Sequence, residues 1–132
     1  MSAKKKILVV EDDAVIQKLF TDTLRSAGYE VLAAPGSAEA VRLAQKEKPD
    51  LITLDIQLAA SPEDSMDGFN VAGWLRRISG DKTSPKIIVI SGTGTPSQLI
   101  EKAAGLGIYT CLVKPVEKQQ LLETVAAALE AS

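Results

Sequence analysis

Leu51-Ile52-Thr53-Leu54-Asp55 is the stretch on which the reading of this chain turns. Its apolar residues read as a buried strand, and a carboxylate stands at its C-terminal end. Three other short apolar runs end in polar groups. Ile7-Leu8-Val9-Val10 leads into Glu11-Asp12-Asp13, Ile87-Ile88-Val89-Ile90 into Ser91, and Cys111-Leu112-Val113 into Lys114-Pro115. An acid pair, an aspartate, a hydroxyl and a lysine thus follow successive strands. This is the set of groups needed to phosphorylate a carboxylate with the help of a divalent metal.

Outward from this stretch, short apolar runs alternate with segments of helical period. Strands are predicted near 6–10, 30–34, 50–55, 86–90 and 108–113, and helices near 14–27, 37–47, 67–78, 96–105 and 117–130. In the first helix Val15, Ile16, Leu19, Phe20, Thr23, Leu24 and Ala27 share a face, and Gly28 stops it. Pro49 ends the second helix, and Asp67-Gly68 caps the third. Thr95-Pro96-Ser97-Gln98 is a capping box opening the fourth. Leu121, Leu122, Val125, Ala126 and Leu129 form the buried stripe of the last. Trp74 falls between Val71 and Ile78 at a spacing that packs it partly into the core. Strict β-α alternation implies an α/β fold: a doubly wound, five-stranded parallel sheet with helices on both faces. Ligands of such sheets sit beyond the carboxyl ends of the strands, where the polar residues above all lie.

Composition narrows the function. The 132 residues suffice for a single domain spanning 1–132, and 45% hydrophobic content argues against a disordered chain. Net charge is −2 and no basic run follows Lys4-Lys5-Lys6, so direct nucleic-acid binding is not expected; the lysines read as a solvated flank. No apolar stretch reaches the ~18–20 residues that span a bilayer, and no signal peptide is visible. Cys111 is the only cysteine, which fits a reducing, cytoplasmic setting. Histidine is absent, which excludes His-based acid–base catalysis, a His-ligated metal and a phospho-His carrier within these residues.

If the first and third strands are neighbours, Glu11, Asp12 and Asp55 converge. Carboxylates that close raise one another's pKa, and a hard divalent cation relieves the repulsion. Mg²⁺ (or Mn²⁺) would be held directly by Asp12 and Asp55, by Glu11 through water, and by a backbone carbonyl just after Asp55, that of Gln57. The alternative is that Glu11, Asp12 and Asp13 only cap the first helix. An aspartate is a competent nucleophile toward phosphorus. Lys114, the Ser91 hydroxyl and backbone amides in Gly92-Thr93-Gly94 could meet the oxygens of an incoming phosphoryl group. Taken singly, Lys114 could be a solvated lysine and Ser91-Gly92 a turn. A cis bond at Lys114-Pro115 would aim the lysine back over the strand ends; a trans proline opening the last helix is the other option.

On these motifs, with Met66-Asp67-Gly68 added, the chain resembles the receiver domain of two-component response regulators over nearly its whole length. The resemblance implies the flavodoxin-like strand order 2-1-3-4-5. It implies that Asp55 accepts a phosphoryl group from a phospho-His on a histidine kinase or His-phosphotransfer protein. It also implies that Ser91 and Lys114 respond by shifting the fourth helix and last strand, with a downstream protein or fused output domain as the recipient. The chain departs from the pattern twice. The segment 56–67 is several residues longer than usual and lacks the proline common after the phosphoacceptor; it could gate the site, contact a partner or be a solvated insertion. Cys111 stands where receivers often carry an aromatic switch residue, and Tyr109 lies two residues earlier, on the same face by the period of two. With no activating charge beside it, the Cys111 thiol reads as inert.

Two further readings compete. A haloacid-dehalogenase-like phosphatase also uses a strand-end aspartate, but wants a second one where Gln57 stands and places its acid pair late in the chain. A receiver-like module that is never phosphorylated would bind no Mg²⁺. A flavodoxin-like flavin site finds no support, because Glu11-Asp12-Asp13 would repel a cofactor phosphate.

Overall fold

The computed structural model describes residues 4–55, 85–91 and 108–130. Its elements are β1 (Lys6–Val10), α1 (Ala14–Ser26), β2 (Glu30–Ala34), α2 (Ser37–Glu47), β3 (Leu51–Asp55), β4 (Lys86–Ser91), β5 (Ile108–Val113) and α3 (Lys118–Glu130). The helices expected over 67–78 and 96–105, with Trp74, lie outside the described residues.

The five strands form one parallel sheet in the order β2-β1-β3-β4-β5. β1 and β3 pair from Ile7↔Leu51 to Val10↔Leu54, which places the ends of both strands, and the acids that follow them, side by side. Alternate side chains feed two layers. Leu8, Val10, Ile52, Leu54, Ile87, Val89 and Cys111 pack with Ala40 and Ala44 of α2. Ile7, Val9, Leu51, Ile88, Ile90 and Leu112 pack with Phe20 and Leu24 of α1 and with Leu121, Val125 and Ala128 of α3. Burial on both faces explains why β1, β3 and β4 read as nearly continuous apolar runs, with Thr53 the polar exception inside β3.

Local signals set the helix ends. The Asp13 carboxylate accepts from the amides of Val15 and Ile16, at 2.9 and 3.1 Å, and starts α1. At the other end Gly28 takes φ +100°, its amide donates to the Arg25 carbonyl, and the Tyr29 amide reaches the Leu24 carbonyl. This paired closure needs the left-handed backbone that glycine adopts without strain.

Three expectations are corrected. Val15 is 78% exposed, Leu19 39%, and Ala27 is exposed too, while Thr21 is buried. The apolar stripe of α1 is wider than the strip that β1, β2 and α3 cover. In α3 the fully buried set is Leu121, Val125 and Ala128, with Leu122, Ala126 and Leu129 only half-buried. Lys6 is not a solvated flank. It opens β1, and its ammonium lies 3.2 Å from Glu47 and 3.7 Å from Glu30.

Candidate functional site

The site lies at the C-terminal rim of the sheet. Glu11 follows β1 directly and keeps its line, because its amide donates to the Ala34 carbonyl at 3.0 Å. Strand alternation turns its side chain toward the α1/α3 layer, as it does that of Asp55, whose parallel partner Ile90 packs there. Glu11 is 1% exposed and Asp55 3%. Asp12 is exposed at the mouth. One oxygen from each of Glu11, Asp12 and Asp55 lies within 4.8 Å of the others.

Lys114, just past β5, enters from the opposite side. Its ammonium donates to Asp55 Oδ2 at 2.9 Å and lies 3.1 Å from Glu11 Oε1. The second contact is close but poorly aligned, so Glu11 Oε1 is buried without a donor in hydrogen-bond geometry. Glu11 Oε2 accepts from the Asp13 amide at 3.2 Å. The Lys114–Pro115 peptide bond is cis.

The electrostatics follow from this packing. Burial pushes the Glu11 carboxyl up to about 7, and the neighbouring Asp55 carboxylate adds to the rise. The Asp13 amide and the Lys114 ammonium pull the other way without cancelling it. Burial works against the Lys114 charge, but Asp55 and Glu11 outweigh it and hold its pKa above the usual lysine value. Fully ionised, three carboxylates against one ammonium leave two negative charges in excess (−3 + 1 = −2). An all-oxygen donor set, short by two positive charges and holding a buried carboxylate oxygen without a donor, fits a hard divalent cation such as Mg²⁺.

The other expected site residues are distributed unevenly. Ser91 closes β4 opposite Val113. Its side chain, Gln57 and Gly92 lie outside the described residues, as does the long segment 56–67. Cys111 is buried in the α2 layer, and burial raises its thiol pKa, in keeping with an inert thiol. The placing of Tyr109 on the face of Cys111 is overturned by a bulge. Ile87 pairs with Ile108 but Ile88 pairs with Thr110, so Tyr109 is the extra residue. Ile108, three residues before Cys111, packs on the same cluster, and Tyr109 is 39% exposed.

Two features had no sequence signal. Gln17 donates from its amide to the Glu11 carbonyl at 3.0 Å, bracing the turn that carries the acids. A groove of about 340 Å³ also borders the site, lined by Ile16, Leu19 and Phe20 of α1 and by Lys114, Pro115 and Val116.

Comparison with known proteins agrees with this geometry. The family model for the response regulator receiver domain matches residues 7–126. The polar-differentiation response regulator DivK of Brucella anthropi is 32% identical over 125 residues, covering 95% of this chain and 96% of DivK. The transcriptional regulatory protein GlrR of Escherichia coli is 30% identical over 126 residues, 96% of this chain, which spans only 26% of GlrR. Among solved structures, chemotaxis protein CheY4 of Vibrio cholerae superimposes with a TM-score of 0.81 at 31% identity, covering 96% of this chain and 99% of that one. A CheY-like receiver domain from Methanospirillum hungatei gives 0.83 at 25% identity, covering 97% and 95%. The chain belongs to the response regulator receiver family, the signalling switches of two-component systems. Between a receiver and a haloacid-dehalogenase-like phosphatase, the family match decides for the receiver.

Proposed function

We propose that this domain takes a phosphoryl group onto Asp55 from a phospho-His on a histidine kinase or His-phosphotransfer protein. A single observation supports this most: a buried strand-end aspartate whose one described lysine partner is positioned 2.9 Å from its Oδ2, beside two further acids. Asp55 is the nucleophile. Its oxygen forms a bond to phosphorus as the bond from phosphorus to the donor imidazole breaks, and the imidazole leaves. Mg²⁺ (or Mn²⁺), held by Asp12 and Asp55, by Glu11 through water, and by the Gln57 carbonyl, would offset charge on the phosphoryl oxygens. Lys114 supplies a point positive charge to a second oxygen, and the Ser91 hydroxyl and Gly92 amide serve the third.

The readout is a shift between two states of the segment 96–105, β5 and α3, favoured by contacts that Ser91 and Lys114 make only with the phosphoryl group. Cys111 in place of an aromatic side chain means that this shift proceeds without rotation of a large ring at that position. A downstream protein or a fused output domain reads it. The exposed Leu19, which lines the groove, gives the phosphodonor an apolar place to dock. Among the described residues no helix is long and apolar enough to cross a membrane.

Incubation with acetyl phosphate and Mg²⁺, followed by intact-mass measurement, tests the reading. One phosphoryl adduct on the wild type and none on Asp55→Ala is the expected result. Equal labelling of both, or none on the wild type with either acetyl phosphate or a phosphorylated kinase, overturns it.

A further inference from the structure

We propose that Gln17 is a positioning residue of the metal site: by holding the backbone on both sides of Asp12, it sets the direction from which the Asp12 carboxylate meets a divalent cation. The proposal rests on the reading of Glu11, Asp12 and Asp55 as that site.

The Glu11 and Asp12 side chains hang from either end of one peptide group. That group is planar, so the direction of the Glu11 carbonyl sets the plane from which Asp12 departs. Glu11 is anchored at each of its other polar ends. Its amide donates to the Ala34 carbonyl at 3.0 Å, and its Oε2 accepts from the Asp13 amide at 3.2 Å. Past Ala34 the chain leaves the sheet and enters α2 at Ser37. The Glu11 carbonyl accepts from the Gln17 side-chain amide at 3.0 Å. Only the nitrogen of that amide can face a carbonyl, so the bond also fixes which way the side chain is turned.

Gln17 makes a second bond to the same turn. Its backbone amide donates to the Asp13 carbonyl at 2.8 Å. One residue thus holds the carbonyls of Glu11 and Asp13, and Asp12 stands between them. Gln17 is itself firmly rooted, since its helix neighbours Ile16 and Phe20 pack in the layer between α1 and the sheet. Asp12 depends on this bracing more than the other acids do. Glu11 and Asp55 are 1% and 3% exposed and are fixed by what surrounds them, whereas Asp12 is exposed at the mouth. Mg²⁺ demands near-ideal octahedral geometry, so a misdirected ligand weakens it. Groups that orient metal ligands are worth about ten- to a hundredfold in affinity.

Calorimetric Mg²⁺ titration of the wild type, Gln17→Met, Gln17→Lys and Asp13→Ala at constant ionic strength tests this, with circular dichroism as a check on folding. Methionine keeps the length and loses the donor. Lysine restores a donor while adding a charge that by itself repels Mg²⁺. Asp13→Ala loosens the same helix start but leaves both Gln17 bonds in place. About tenfold weaker binding by Gln17→Met is expected, with recovery in Gln17→Lys and wild-type affinity in Asp13→Ala. The Asp12 amide ¹⁵N resonance, which belongs to the same peptide as the Glu11 carbonyl, should shift in Gln17→Met and return in Gln17→Lys. Wild-type affinity in Gln17→Met, no recovery in Gln17→Lys, or equal weakening in Asp13→Ala overturns the positioning role and leaves the metal site intact. No binding by the wild type overturns both. Should Gln17→Met fail to fold, the wild type decides, because a bond that favours the metal is favoured by it in turn. Slower solvent exchange of the Gln17 side-chain amide protons at saturating Mg²⁺ supports the role, and an unchanged rate overturns it.

Discussion

At the N-terminal rim of the sheet Lys6 lies 3.2 Å from Glu47 and 3.7 Å from Glu30; at the C-terminal rim Lys114 lies 3.1 Å from Glu11 and 2.9 Å from Asp55. The two lysine side chains are about equally accessible, 25% and 23%. Their acids are not. Glu47 and Glu30 are 29% and 57% exposed, against 1% and 3% for Glu11 and Asp55. Pairing distances that differ by less than 1 Å therefore sit in different electrostatic surroundings. In the first rim water shares the work of stabilising each charge, and the network only ties α2 and the strand starts together. In the second rim the acids are cut off from water, and that burial, together with the neighbouring Asp55 carboxylate, raises the pKa of Glu11. Distance alone does not separate the two ion-pair clusters; burial of the acids and the buried oxygen without an aligned donor do.

The contrast is broken most forcefully by exchanging the aspartates at the two ends of β3. Asp55→Asn is expected to eliminate phosphoryl uptake from acetyl phosphate. Asp50→Asn, whose native carboxylate accepts from the Lys6 amide at 2.8 Å, should leave any uptake at the wild-type rate, as intact-mass time courses would register.

A smaller effect concerns pH. Glu11 titrates near 7 in the folded protein against an ordinary value of 4.5, so the folded state holds a proton that the unfolded chain has released. That contribution is fully present below about 4.5 and is lost as pH rises through about 7. Metal-free protein should lose on the order of 2–3 kcal/mol across this window, measured by urea denaturation at successive pH values. Glu11→Gln should flatten the slope. Mg²⁺ should also reduce it, because the ligands proposed for it are ionised carboxylates. An unchanged slope in Glu11→Gln would assign the titration to another group.

Asp13 sharpens the division within one rim. It belongs to the same acidic run as Glu11 and Asp12, but its carboxylate is engaged with the Val15 and Ile16 amides. Asp13→Ala should cost about 1 kcal/mol of stability, as loss of a helix cap does, and leave Mg²⁺ affinity unaltered in calorimetry. The smallest effect belongs to Lys6→Met. Its thermal midpoint should stay within experimental scatter of the wild type, because its acids remain hydrated when the lysine is gone.

Much of this was legible in the chain order. Nearly continuous apolar runs marked strands buried on both faces, and the residue after each run marked what stands at the rim: Glu11, Asp55, Ser91 and Lys114. The period of α1 and α3 marked helices, but not how wide a strip their neighbours cover, which is why Val15 stands in solvent. The bulge at Tyr109 left no trace either, because one extra residue in a strand alters pairing without altering composition.

By itself the sequence determined the elements, their parallel arrangement and the residue types at the carboxyl ends, since period and burial are properties of neighbouring residues. Only the tertiary structure decided which groups meet. Glu11, Asp55 and Lys114 come from β1, β3 and the end of β5, and their encounter depends on the strand order and on how far each side chain is cut off from water. Those are properties of the packed sheet. They separate Asp13, which caps a helix, from Glu11, which is left with a buried oxygen and no aligned donor.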